Sequence, residues 1–166
     1  MTFDIFKRTG IFIALCLTQA LVLNRIHLFD CATPLLYVYF VITMPRNHPK
    51  WAVLLWSFLL GLAIDTFSNT PGVAAASLTL LAVIQPYYLE LFIPREATEN
   101  LVPSAAELGT MKYSFFAGTL TILYCFAFFT LESFNFFNWL QWLENVGGSA
   151  ALTFILILTI ESVRKK

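Results

Sequence analysis

Charge is what this chain has least of. Only 12% of its 166 residues are Asp, Glu, Lys or Arg, about half the ~25% of an average soluble domain. That composition excludes an ordinary water-soluble globule. The few charges cancel to a formal net charge of zero, so no basic field invites a polyanion and nucleic-acid binding is excluded. Cysteine is scarce too. Cys16, Cys31 and Cys125 are three in number and irregularly spaced, which suggests neither a disulfide framework nor a zinc site. They read as small, membrane-buried side chains. The two histidines, His27 and His48, fall on opposite sides of the membrane in the topology below and cannot share a metal. There is no HExxH, no phosphate loop, no Ser/His/Asp set and no pair of intramembrane carboxylates. No catalytic residue, cofactor or metal is therefore expected, and an enzyme is not.

What the chain has in excess is apolar surface. Apolar residues make up 58% of it and the mean hydropathy is +0.74. Six apolar segments separate, at about 9–28, 32–45, 51–68, 72–93, 113–132 and 140–161. A full span needs ~20 residues. The second segment, bounded by Pro34 and Pro45, would reach only ~21 Å as a helix. It must be a short helix, partly extended at its ends, or a re-entrant piece shielded by neighbours. The first follows a basic start but has no small-x-small cleavage site, so it reads as an uncleaved transmembrane helix. The expectation is an all-α polytopic membrane protein, one integral membrane domain over residues 1–166.

Basic residues orient it. Lys7, Arg8, Arg46, Lys50, Arg95, Lys112, Arg164, Lys165 and Lys166 fall in alternate connections and at the termini; the other connections hold only Arg25. The positive-inside rule puts the larger group, and both termini, in the cytoplasm. Both termini on one side require an even number of spans, in agreement with six. Trp51 and Trp56 at one face, and Trp139 and Trp142 at the other, suit headgroup level. The run from Phe134 to Asn138 should skim the outer interface. The longest polar connection, Pro94–Lys112, reads as a solvated cytoplasmic connector or a docking surface, with a short helix possible over Ser104–Lys112. Glu90, Glu132 and Glu161 sit near helix ends and read as interfacial.

The third segment carries the most informative residues. Asp65 lies in a membrane helix, where a carboxylate costs roughly 2.5–3.5 kcal/mol and so faces protein or water rather than lipid. Ser57, Gly61 and Asp65 follow at i, i+4 and i+8, on one face, and such small residues let another helix come close. Asp65 can cap the turn Ser68–Gly72 or the next helix, line a ligand or proton path, or meet a partner. Under the capping reading, Asn should replace it with little loss. Gly72 and the alanines after it make a thin start to the fourth helix. Gln85 and Pro86 interrupt that helix with a kink or a polar notch.

Pro34-Leu35-Leu36-Tyr37 with Pro45 is similar to the second hydrophobic segment of the MreD family of rod-shape-determining proteins. The run Gly61-Leu62-Ala63-Ile64-Asp65, followed by a turn and Gly72, resembles that family's most recognisable element. Leu35 departs from it, since many members carry a polar residue there. The resemblance implies a bacterial inner-membrane protein of the peptidoglycan elongation machinery, without enzymatic activity. It implies work beside an MreC-like bitopic protein, the actin-like MreB, the RodA glycosyltransferase and a class B penicillin-binding transpeptidase. It also implies a fold similar to the substrate-binding subunits of energy-coupling-factor vitamin transporters. Two functions follow: a membrane scaffold that binds partner helices, or a small-molecule-binding subunit with an outer pocket near Asp65, Gly72 and Gln85.

Overall fold

The computed structural model describes residues 2–21, 33–93, 101–133 and 138–164, with side chains from Arg8 onward. Arg25, His27, Cys31, Arg95, Lys165, Lys166 and most of the Phe134–Asn138 run lie outside the described residues. Among those described there is no β-strand, and the helices are α1 (Thr2–Leu21), α2 (Val38–Ile42), α3 (Lys50–Ser68), α4 (Val73–Glu90), α5 (Ala105–Leu108), α6 (Thr110–Glu132) and α7 (Trp139–Arg164). α3, α4, α6 and α7 are long and apolar enough to cross a membrane, while the apolar part of α1, Arg8–Leu21, is shorter.

The interior is an apolar core with a few buried polar groups set into it, and the exterior is apolar too. Gln19, Ser57, Asp65, Gln85, Thr153 and Glu161 are buried, while Phe58, Leu62, Leu80, Ile122, Leu143 and Ile155 are exposed. So large an apolar exterior has to meet something other than water, and polar groups inside a lipid-bounded bundle must be satisfied by one another.

α3 and α4 make the most extensive helix pair, and α6 with α7 the next; α4 joins the two pairs by packing on α6, and α1 lies on α3. The second segment sits in the middle. Its helix α2 spans five residues, ~7.5 Å at 1.5 Å per residue, far too short to cross. Every residue from Pro34 to Ile42 is buried, and α2 touches α1, α3, α4 and α6. Of the geometries open to this segment, the chain adopts a short helix with irregular ends, shielded on all sides.

Trp56 is half-buried, its ring set edge-on to Phe12 at 5.6 Å and tilted against Phe40. The expectations for the long connection change. The second half of the long connection is only partly solvated: Leu101, Ser104, Ala105 and Leu108 are buried, Ala106, Glu107 and Gly109 are exposed, and the Leu101 carbonyl accepts from the Arg46 amide. Its helix is shorter than expected. Ser104 caps α5 by accepting from the Glu107 amide, but Gly109, at φ 83° and ψ 146°, breaks the run before α6 starts. Glu161, near the end of α7, turns inward, with only 3% of it exposed.

Candidate functional site

At the α3–α4 junction, the face carrying Ser57, Gly61 and Asp65 is buried throughout. Ser57 is satisfied within its own helix, its hydroxyl donating to the Val53 carbonyl at 2.7 Å. At Gly61 the backbone of α4 crosses so closely that a Cβ would lie 2.4 Å from Ala75 Cα and 2.6 Å from its nitrogen. No side chain fits there. One turn on, the Asp65 carboxylate receives the Ala74 amide on Oδ1 and the Ala75 amide on Oδ2, both at 2.9 Å, and the Thr70 hydroxyl on Oδ1 at 3.0 Å.

The backbone around this carboxylate is accounted for. A helix start leaves its first amides without intrahelical partners. Here Val73 donates to the Thr70 carbonyl, Ala74 and Ala75 to Asp65, and Ala76 to the Gly72 carbonyl. The end of α3 is closed by the same residue: the amides of Asn69, in the left-handed region at φ 57°, and Thr70 both return to the Asp65 carbonyl. Gly72 then takes φ 84°, a conformation that a Cβ disfavours. Charge-assisted bonds are roughly twice as strong as neutral ones, and the positive end of the α4 dipole adds to them. These interactions offset the cost of a buried carboxylate.

The second segment presents the other set of unpaired backbone groups, and side chains from three helices meet them. Gln19 of α1 donates to the Pro34 carbonyl at 2.9 Å and accepts from the Leu36 amide at 3.1 Å. Ser149 and Thr153 of α7 accept from the amides of Thr33 and Leu35. At the other end Gln85 of α4 donates to the Met44 carbonyl at 3.2 Å. Pro34 and Pro45 have no amide to satisfy, which removes two donors from the problem. Inside, the hydroxyls of Tyr37 and Tyr124 bond to each other. Glu161 ties the α7 end down, accepting from the Ala105 amide and the Tyr39 hydroxyl, with Arg164 at 3.9 Å.

The structure thus gathers Ser57, Gly61, Asp65 and Gly72 at one junction, and Pro34, Pro45 and Gln85 around the second segment. It does not gather Asp65, Gly72 and Gln85 into one pocket. Gln85 lies ~15 Å along α4 beyond Ala75 at 1.5 Å per residue. α4 runs through Pro86 to Glu90 without a break, and the neighbouring Gln85 amide group serves Met44. Sequence reasoning passed over Gln19, Thr70, Ser149, Thr153 and the inward role of Glu161. The available signal was polarity at helical spacing: Ser149, Thr153 and Glu161 lie on one buried stripe of α7 with Ile157. Among the described residues no three His, Cys, Asp or Glu side chains come together as metal ligands would.

No family model, curated protein or solved structure matches this chain.

Proposed function

We propose that this chain is an MreD-type, non-enzymatic component of the bacterial cell-wall elongation complex. In this reading it lies in the inner membrane with both termini in the cytoplasm and helps maintain rod shape by binding partner membrane proteins, an MreC-like bitopic protein first among them. α1 and the buried second segment join the four long helices to make six membrane-embedded segments. MreB, RodA and the class B transpeptidase stand in direct or indirect contact.

One observation carries this reading. The polar side chains gathered at the α3–α4 junction and around the second segment are committed to the chain's own backbone and hydroxyls. The buried polar atoms without a partner among the described residues, Ser77 Oγ, Tyr113 OH, Trp142 Nε1 and Asn145 Oδ1, are single groups on α4, α6 and α7. Both Asp65 oxygens, both Gln19 groups and both Glu161 oxygens hold internal bonds. A small-molecule site needs several free polar groups converging in an apolar cavity, and these groups are spent. What the molecule offers its surroundings is helix surface, and helix surface serves contact.

The test is co-purification of the full chain in mild detergent, with mass spectrometry of what accompanies it. A single-span protein with a periplasmic domain, in stoichiometric amount, is expected. A solitary chain whose thermal stability rises with a vitamin-sized molecule would replace the scaffold with the transporter subunit.

A further inference from the structure

α6 and α7 pack closely at one side and part at the other. The parting is an apolar groove of 560 Å³, walled by Ser114, Gly118 and Ile122 on α6 and by Gly147, Ala151 and Phe154 on α7. Its floor is shaped by Gly118, where a Cβ would lie 3.3 Å from the Phe154 ring. A second hollow of 350 Å³ shares Ser114, Phe115 and Phe154 with it and continues to Thr110 and Met111, at the start of α6. The other end is shut. One turn past Ile122, Phe126 meets Trp142 edge-to-face at 5.4 Å between ring centroids, bridging the two helices.

The dimensions choose among occupants. From Thr110 to Ile122 at 1.5 Å per residue the groove is ~18 Å long. A bilayer's hydrocarbon core is ~30 Å thick and one leaflet about half that. A partner's spanning helix would run the full depth, but the groove serves only part of it and stops short of the Phe126–Trp142 contact. An acyl chain enters from one side and ends near the midplane, as this groove does. Charge chooses the headgroup. The open end is the end where α6 begins and α7 finishes. It carries exposed Lys112 and Arg164, which is half-exposed while donating to the Tyr39 hydroxyl and pairing with Glu161. It also carries the exposed carboxylate Glu107. Lys165 and Lys166 follow in the sequence, so the basic groups outnumber the exposed acid. Basic side chains at a membrane surface attract anionic lipid.

We propose that the α6–α7 groove seats one acyl chain of an anionic phospholipid from the leaflet on the basic side, with its phosphate drawn to Lys112 and the basic end of α7. Cell-wall partners play no part in this site.

The experiment is native mass spectrometry of the full chain in mild detergent, with phosphatidylglycerol or phosphatidylcholine added. The wild type is expected to hold one phosphatidylglycerol under activation that strips phosphatidylcholine. Gly147 faces open space, and a Cβ there would have nothing within 4 Å. Gly147→Leu therefore enters the groove from a position with room for its Cβ and should lower retention about tenfold. Lys112→Gln should reduce the preference for phosphatidylglycerol about fivefold, the weight of one basic residue at a membrane surface. Unchanged retention by Gly147→Leu overturns the seat, and equal retention of both lipids by the wild type overturns the headgroup assignment. A photo-cross-linking residue at Ala151 gives an arm that does not depend on that variant folding. Capture of phospholipid in cells supports the proposal; capture of a protein chain overturns it.

Discussion

Asp65 closes one helix with its carbonyl and opens the next with its carboxylate, so a single substitution acts on both ends of the α3–α4 turn. Because each carboxylate oxygen has its own backbone donor, Asn is a poorer replacement than its reputation as a capping residue suggests. Its NH₂ group would face one of the two amides. Asp65→Asn should leave one donor unpaired, at ~1–3 kcal/mol, and Asp65→Leu should leave both, with a correspondingly larger loss. Thermal unfolding of detergent-purified protein should rank wild type above Asn and Asn above Leu. Equal stability of all three would show that the carboxylate does not hold the turn. Gly61 is tested against another helical glycine. Gly61→Ala drives a methyl group into the α4 backbone, and overpacking of this kind costs ~1–3 kcal/mol. Gly147→Ala meets nothing within 4 Å, and Ala exceeds Gly in helix propensity by ~1 kcal/mol. The first should lower the melting temperature and the second should hold or raise it. A matching fall in both would mean that propensity and packing at these positions have been misjudged.

At the scale of the element, the second segment is the unusual piece. An irregular stretch of backbone buried among helices persists only if its polar groups find partners, and Gln19, Ser149, Thr153 and Gln85 supply them. Gln19→Leu removes a donor and an acceptor together, stranding the Pro34 carbonyl and the Leu36 amide at ~1–3 kcal/mol each. Thr18→Val, one residue away, removes only an exposed bond to its own helix and should be close to neutral. Membrane accumulation and thermal stability should separate the two variants clearly; indistinguishable behaviour would mean the clamp is dispensable. The connection to α6 obeys the same logic. Glu161→Leu frees the Ala105 amide and the Tyr39 hydroxyl, so a cysteine placed at Ala105 should react faster with maleimide in that background. No change in labelling rate would show that Glu161 does not hold this stretch down. Much of this element was legible in advance. Its two prolines and short apolar run announced a segment that could not be a plain span. Its supports were not legible, because Ser149 and Thr153 lie 116 and 118 residues from the amides they receive.

At the scale of the whole molecule, orientation is the first property to measure. Reporter fusions after Lys166 and within Pro94–Lys112 should both read cytoplasmic, and one within Phe134–Asn138 periplasmic. Opposite readings from the first two would break the arrangement of α6 and α7 as consecutive spans. The apolar character of the chain, the positions of its long helices and the close-packing face of Ser57, Gly61 and Asp65 were determined by sequence alone. Hydropathy and charge bias are sums along the chain, and a glycine one turn before an aspartate shares a helix face whatever surrounds it. Tertiary structure decided the rest. Which amide reaches which carboxylate, how closely α4 crosses Gly61, that Glu161 turns inward and that α6 and α7 part around a groove all depend on approaches between distant segments. A buried polar group has to find its partner in space, and the order of residues along the chain does not say which group will arrive there.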